Sequence, residues 1–454
     1  MSMKSEKELL DLCKYIVGGA IKSGANDAEA LVVNMAEIES EVEMAQVSSV
    51  NEKKATEIAI RLYIGKKMGS AFLNIATEEA ADEAVELAIA AANATTPDED
   101  YQGLPASAEY PKIKDLWSSD VRDAKPESIV NMLADAVAKS ASAEEGLIPA
   151  YGGTGAIAMI RAYANSNDVE HSERLAVSYC SIGAIARTEK GVTPMTFSFD
   201  IARNMDVDVN RIVDEVSSEI RILKNSAEGK TGSHTVVMHP RAYGQIFQYT
   251  LVEAIRGDNV ARGKSKIGDK IGETIAVDFL TLTDDGTDIR GLSASEADDE
   301  GVPRQRTPII ADGVLKSFIW DTYWANKMGV KSTGNASRNM RQGLVEISPS
   351  NIIVEPGERD IDDIISEIDH GYLITGVQGA HSSNPESGDF SVVGNPAILI
   401  ENGELMGAVH GLMVSGNVFD LLKQVKEIAR EPHLLQSLIA PEIVFKDVDI
   451  VAKE

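Results

Sequence analysis

The chain has 454 residues, 43% of them apolar and 25% charged, which supports sizeable cores and excludes a disordered or fibrous protein. Its formal net charge of −28 disfavours binding to nucleic acid or an anionic membrane surface, which needs clustered Lys and Arg. Cys13 and Cys180 are the only cysteines, too few for a disulfide framework or a zinc ribbon, and they fit a reducing cytoplasm.

Residues 5–23 carry Leu9, Leu10, Cys13, Ile16, Val17 and Ala20 at three- and four-residue spacing and predict an amphipathic helix stopped at Gly24. From Ala28 to Leu73 short alternating runs predict strands, with a turn at residues 65–69. Thr77 is expected to cap an alanine-rich helix reaching about Ala94. Residues 95–126 hold Pro97, Pro105, Pro111 and Pro126 and read as a surface connection. A helix over 127–142 follows, then strands over 156–163, 174–187 and 195–200 and a helix over 207–223. This strand-strand-strand-helix order echoes residues 40–94.

The polar, glycine-bearing stretch 224–233 marks the expected boundary between an N-terminal domain, 1–224, and a C-terminal domain, 225–454. In the latter, 235–239 predicts a buried strand and Ala242 to Arg256 a helix. Beyond Gly257 short strands and turns dominate. Asn402-Gly403 predicts a hairpin between 396–400 and 404–406, and helices are expected near 360–369 and 418–427. The fold class is therefore α+β: an N-terminal α/β domain and a mainly antiparallel, β-rich C-terminal domain. The charged, polar start is unlike a signal peptide, and no apolar window reaches the roughly 18 residues of a bilayer span. A cytoplasmic location is expected, with neither nucleic acid nor membrane as partner.

The helix over 242–256 carries Glu253 between Val252 and Gly257. A helix-borne zinc peptidase needs two neutral imidazoles on one ion, a glutamate to deprotonate the bound water, and a third protein ligand. Several segments, taken in order, resemble the TldD/PmbA family, once described as modulators of DNA gyrase and now regarded as peptidases. They are Asp298-Asp-Glu-Gly301, Asp312-Gly-Val-Leu315, Ser332-Thr-Gly-Asn-Ala336, Gly388-Asp-Phe390, Ile400-Glu-Asn-Gly403 and Val414-Ser-Gly-Asn417. The resemblance covers roughly 235–425. It lays the family's His-Glu-x-x-x-His motif on Val252, Glu253 and Gly257, so both histidine ligands are missing. The family's C-terminal cysteine ligand is missing from 434–454 as well.

The resemblance therefore implies the PmbA or TldE branch: a non-catalytic, metal-free subunit paired with a zinc-bearing TldD-like partner, the two enclosing a cleft for extended or unfolded peptide. A homodimer is possible for the isolated chain. Glu253, Arg256, Gln378, His381 and Asn384 are the expected cleft residues. The plainer reading of Glu253 is an ion pair with Arg256 three residues on. His234, His239, His381 and His410 show no pair at ligand spacing, so no metal site is expected in this chain. Two other readings stay open: a peptidase in its own right with an atypical metal site, and a peptide-binding scaffold with no enzyme partner.

Overall fold

The computed structural model describes residues 3–189 and 191–453. Helix α1 (Glu6–Lys22) begins where Ser5 and Glu8 exchange side chain-to-backbone bonds, a capping box that satisfies two free N–H groups. Its Leu9, Cys13, Ile16, Val17 and Ala20 are buried, the face predicted from spacing. Strands β1 (Asp27–Glu43), β2 (Gln46–Ile64) and β3 (Lys67–Leu73) follow. Thr77 caps α2 (Glu78–Ala94) by accepting the Ala80 N–H.

The connection after α2 wraps the sheet as expected. Tyr101 stacks on Tyr63 at 3.7 Å between ring centroids, and the Leu116 carbonyl accepts the Ala176 N–H at 2.8 Å. It also holds one short helix not anticipated, α3 (Ser119–Arg122).

The pattern then recurs as α4 (Pro126–Ala143), β4 (Leu147–Asn165), β5 (Glu170–Thr188), β6 (Gly191–Val192), β7 (Thr196–Ala202) and α5 (Val209–Leu223). Counted over the described residues, both units share one seven-stranded sheet in the order β3-β2-β1-β4-β5-β6, with β7 also on β5. The units join through β1 and β4, antiparallel from Glu29 opposite Asn165 to Glu43 opposite Tyr151. Helices α1 and α2 cover one part of the sheet in a core with Ile58, Ile60 and Leu62. Helices α4 and α5 cover another with Cys180, Ile182 and Ala184.

The rest of the chain is β-rich. A nine-stranded sheet runs from an edge at Val377–Gln378 through Asp389–Gly394, Leu412–Asn417, Ile443–Val451, β8 (Gly232–Met238), His370–Ile374 and Ala397–Glu401 to Glu404–Ala408, with Val425–Ile428 on Ile443–Val451. A six-stranded sheet orders Val314–Leu315, Arg306–Ala311, Leu282–Asp285, Ile352–Val354, Leu438–Ala440 and His433–Leu435. Most pairs are antiparallel. Among the strands of the described residues, the parallel pairs are His370–Ile374 on β8 and Ile352–Val354 on Leu438–Ala440. The main core, with Tyr243, Tyr372 and Phe445 fully buried, lies between them. The predicted hairpin forms, with Asn402 and Gly403 both at positive φ. One expected helix is largely absent: 418–427 is helical only over Val418–Leu421, and Val425–Ile428 is a strand. Val425 and Ile428 are buried there, and a sheet partner outweighs helix propensity. Among the described residues no helix is long and apolar enough to cross a membrane.

The two halves meet through charge. The Glu300 carboxylate accepts Arg61 at 2.7 Å and the Thr322 N–H at 3.0 Å. Glu29 accepts Arg61 at 2.5 Å, the Tyr163 hydroxyl at 2.5 Å, and Arg338. Asp299 pairs with Arg161 at 2.9 Å. Gly301, at φ +72°, lets the turn pass under Tyr163, whose ring lies 2.6 Å from where a Cβ would sit. The segment Asp298–Gly301 is thus the seam between the two halves.

Candidate functional site

The segment singled out in sequence is not one helix. Three short ones replace it: α6 (Pro240–Gln248), α7 (Leu251–Ile255) and α8 (Gly257–Ala261). His239 caps α6, its Nδ1 accepting the Arg241 N–H at 3.0 Å, and Pro240 occupies the first turn, where no N–H is needed. The first break comes at Thr250 (φ −132°, ψ −77°), whose hydroxyl donates to the Ile246 carbonyl. The second comes at Arg256 (ψ 126°), where the backbone turns extended and pairs with Ile319: the Gly257 N–H donates to the Ile319 carbonyl at 2.8 Å.

These breaks decide what the degenerate motif positions can hold. Val252 is 7% exposed and lines an apolar cavity of about 170 Å³ with Leu251, Ile255, Leu282, Ile352 and Leu438. A Cβ on Gly257 would lie 2.0, 2.4 and 2.5 Å from three ring atoms of Trp320. The indole fills the space a second imidazole would need. Between these positions, Glu253 binds Arg256 at 3.2 Å and accepts the Asn259 side-chain amide at 3.0 Å. Arg256 is shared with Asp258 at 3.2 Å. Burial opposes its charge, but Asp258 and Glu253 outweigh that and raise its pKa. Glu253 is therefore committed to its own turn. The residues at 252, 253 and 257 do not fit a zinc ion with a water-activating glutamate.

The other expected cleft residues are scattered. Gln378 is exposed on the edge strand Val377–Gln378. His381 is exposed in the 3₁₀ turn Ala380–Ser382. Asn384 turns inward on its own loop, accepting the Glu386 and Ser387 N–H groups at 2.9 and 3.1 Å. That loop lies against residues 264–266: Lys264 reaches Glu386 at 3.3 Å, and Lys266 reaches the Ser387 carbonyl at 3.4 Å. The structure joins Glu253 to Arg256; it joins neither to Gln378, His381 or Asn384 by any direct bond.

A larger cavity, about 560 Å³, opens where the two halves meet beside α6. Phe197 and Phe199 of β7 line one side, and Arg241, Gln245 and Gln248 of α6 another. Thr375–Val377, cis Pro396, Leu435, Gln436 and Leu438 complete it. Glu219 of α5 pins this junction, accepting Arg241 at 3.0 Å and the hydroxyls of Thr196 and Thr375. Gly244, Gln248, Leu435, Gln436 and Leu438 border both cavities, so the two adjoin. Sequence reasoning missed Glu219 and Arg241, because neither belongs to a motif and they meet only when the halves fold together.

One group of metal-ligating side chains also forms, among the described residues. His239, His433 and Glu442 each place a ligand atom within 4.8 Å of the other two. Nothing in the spacing of 239, 433 and 442 signals this; the hairpin His433–Ala440 carries His433 across to the head of α6.

Comparison with known proteins agrees with this architecture. Residues 231–452 match the model of the PmbA/TldA metallopeptidase C-terminal domain, and residues 28–92 match that of PmbA/TldA metallopeptidase domain 1. The crystal structure of TldE from Thermococcus kodakarensis superimposes with a TM-score of 0.93 at 32% identity, covering 97% of this chain and 100% of that one. An uncharacterised protein of Methanocaldococcus jannaschii is 29% identical over 96% of this chain and 99% of its own. The metalloprotease PmbA homolog of Haemophilus influenzae is 24% identical over 93% and 92%. On the family models and the full-length likeness to TldE, the chain belongs to the PmbA/TldD metallopeptidase family.

Proposed function

We propose that this chain is the non-catalytic, PmbA/TldE-like subunit of a cytoplasmic metallopeptidase complex. It pairs with a TldD-like subunit that carries zinc, and together they shape a cleft for extended or unfolded peptide. The observation that carries this reading is the packing at the motif: Trp320 against Gly257, apolar side chains around Val252, and Glu253 tied to Arg256 and Asn259. The seam cavity supplies apolar walls for side chains, with Gln245 and Gln248 available to hydrogen-bond a backbone. The edge strand Val377–Gln378 borders it, so an extended chain can add there as a further strand.

Co-expression with a TldD-like chain bearing His-Glu-x-x-x-His tests the reading. The expected result is a stable pair that cleaves unfolded peptide. Substituting the partner's motif glutamate should abolish cleavage, whereas Glu253→Gln here should leave it within about twofold. Chelator-sensitive peptidase activity from this chain alone would overturn the reading, as would loss of the pair's activity with Glu253→Gln.

A further inference from the structure

His239, His433 and Glu442 lie away from the degenerate motif and beside the seam cavity. Their ligand atoms are within 4.8 Å of one another. The His433 Nε2 is 2.7 Å from a carboxylate oxygen of Glu442, which is 7% exposed. The His239 ring centroid is 4.2 Å from that of His433, with the planes 56° apart. A cavity of about 20 Å³ adjoins both histidines, room for one water molecule or one ion. Neighbouring cations are already neutralised: Arg241 by Glu219 at 3.0 Å, and Arg211 by Asp200 and Glu215 at 2.7 and 2.6 Å.

We propose that His239, His433 and Glu442 form a binding site for a divalent transition cation of zinc-like ligand preference, which ties the hairpin His433–Ala440 to the head of α6. Two imidazoles and one carboxylate are a zinc donor set, with a fourth position for water. Tetrahedral zinc holds its ligands about 3.4 Å apart, so the three side chains close inward by small rotamer adjustments. His239 Nδ1 accepts the Arg241 N–H, which leaves the ring proton on Nε2 before the ion binds. Ligation through Nε2 moves that proton to Nδ1, which then no longer accepts the Arg241 N–H, so the cap bond is exchanged for the metal bond. The consequence is mechanical. Leu435 and Leu438 on the hairpin and Gly244 and Gln248 on α6 wall both cavities, and an ion bridging the two elements fixes that wall. This goes beyond the subunit assignment and needs no partner, so it is tested on the isolated chain.

The full-length chain, stripped with chelator, is titrated with cobalt(II) as the optical probe. One equivalent should bind with the visible bands of four-coordinate nitrogen and oxygen ligation. His433→Ala and Glu442→Gln should each weaken binding by at least about 100-fold, since losing even an outer-shell partner costs about 10–100-fold. His381→Ala and His410→Ala should leave it unchanged. Zinc should raise the thermal midpoint of the wild type only. His433→Asn serves as the second variant if His433→Ala misfolds, with circular dichroism as the check on folding. Failure to bind one equivalent overturns the proposal. So does equal binding by the wild type and the His433 and Glu442 variants, which would mark an adventitious ion only.

Discussion

Adding one methyl group at Gly257 tests whether the second ligand position is closed. In Gly257→Ala the new carbon would sit 2.0 Å from the nearest Trp320 ring atom, where ordinary carbon contacts lie near 3.5–4.0 Å. The indole must therefore retreat by about 1.5 Å. It has little room: Trp320 is 6% exposed, packs edge-on against Phe318 at 6.3 Å, and its backbone N–H is held by Thr333. Overpacking of this kind costs about 1–3 kcal/mol. The gain from replacing glycine in a helix is at most about 1 kcal/mol, and less here because Gly257 is the first residue of α8. Net destabilisation of about 1–3 kcal/mol predicts a thermal midpoint lower by about 1–3 °C, because the unfolding entropy scales with chain length. The decisive assay is a double-mutant cycle with Trp320→Leu. Removing the indole makes space for the methyl, so the double variant should be more stable than the sum of the single effects by about 1–2 kcal/mol. Additivity within about 0.5 kcal/mol, or an unshifted midpoint in Gly257→Ala, would refute the steric argument.

The double variant Val252→His/Gly257→His restores the motif in sequence. It should neither bind zinc at 252–257 nor gain peptidase activity, and it should lose several °C in scanning calorimetry. Arg338→Met removes a fully buried guanidinium beside Glu29 and should cost about 1–3 kcal/mol in urea unfolding, because Glu29 loses one charged partner but keeps Arg61 and the Tyr163 hydroxyl. Stability should also vary with pH in two opposing ways. Burial acts to raise the pKa of Glu29, but Arg338 and Arg61 outweigh it and lower it from 4.5 to about 2. Burial likewise opposes the lowering of Glu173 to about 2, which Arg161 drives. Their contribution is complete above 4.5 and is lost as pH falls toward 2. Burial, then the Glu300 charge, push Asp298 and Asp321 from 3.8 up to about 7. Their protonated forms favour the fold, so that contribution is complete below 3.8 and is lost as pH rises through 7. The urea midpoint should therefore peak near pH 4, between the ordinary Asp and Glu values, and Asp298→Asn should flatten the decline between pH 4 and 7. A midpoint that rises steadily from pH 4 to 8 would contradict this assignment.

Much of the fold is legible because it is periodic. Leu9 to Ala20 and the strand alternation announce their own burial, and Asn402-Gly403 announces its hairpin. The β1–β2 hairpin is longer than its alternating runs suggest, because the outer part of β2, around 46–54, is exposed and polar on both faces. No buried stripe marks those residues, and backbone pairing with β1, with Ser48 and Ser49 bonded to Glu41, carries them. The breaks at Thr250 and Arg256 escaped for a different reason. The apolar positions around them keep helical spacing, while the interruption at Arg256 depends on pairing with Ile319, distant in sequence. His433 and Glu442 escaped for the same reason: their meeting with His239 is a product of strand order.

Loss of the motif and retention of the architecture are separable physical facts. The 252–257 segment can lose its ligands cheaply, because each lost side chain is replaced by packing that stabilises on its own: valine in an apolar cavity, glycine under an indole. The Asp298–Gly301 turn has no such freedom. Asp298 accepts the N–H groups of Glu300, Val302 and Ala336. Asp299 accepts Arg161 and the Arg338 N–H, and Glu300 accepts Arg61 and the Thr322 N–H. Removing any one carboxylate leaves buried N–H donors unpaired, at about 1–3 kcal/mol for each, although Arg61 keeps Glu29 and Arg161 keeps Glu173. Chemistry at 252–257 is therefore dispensable to this fold, whereas the seam that shapes the cavity is not. The proposed role, a subunit that presents a cleft, asks for that seam and not for the motif.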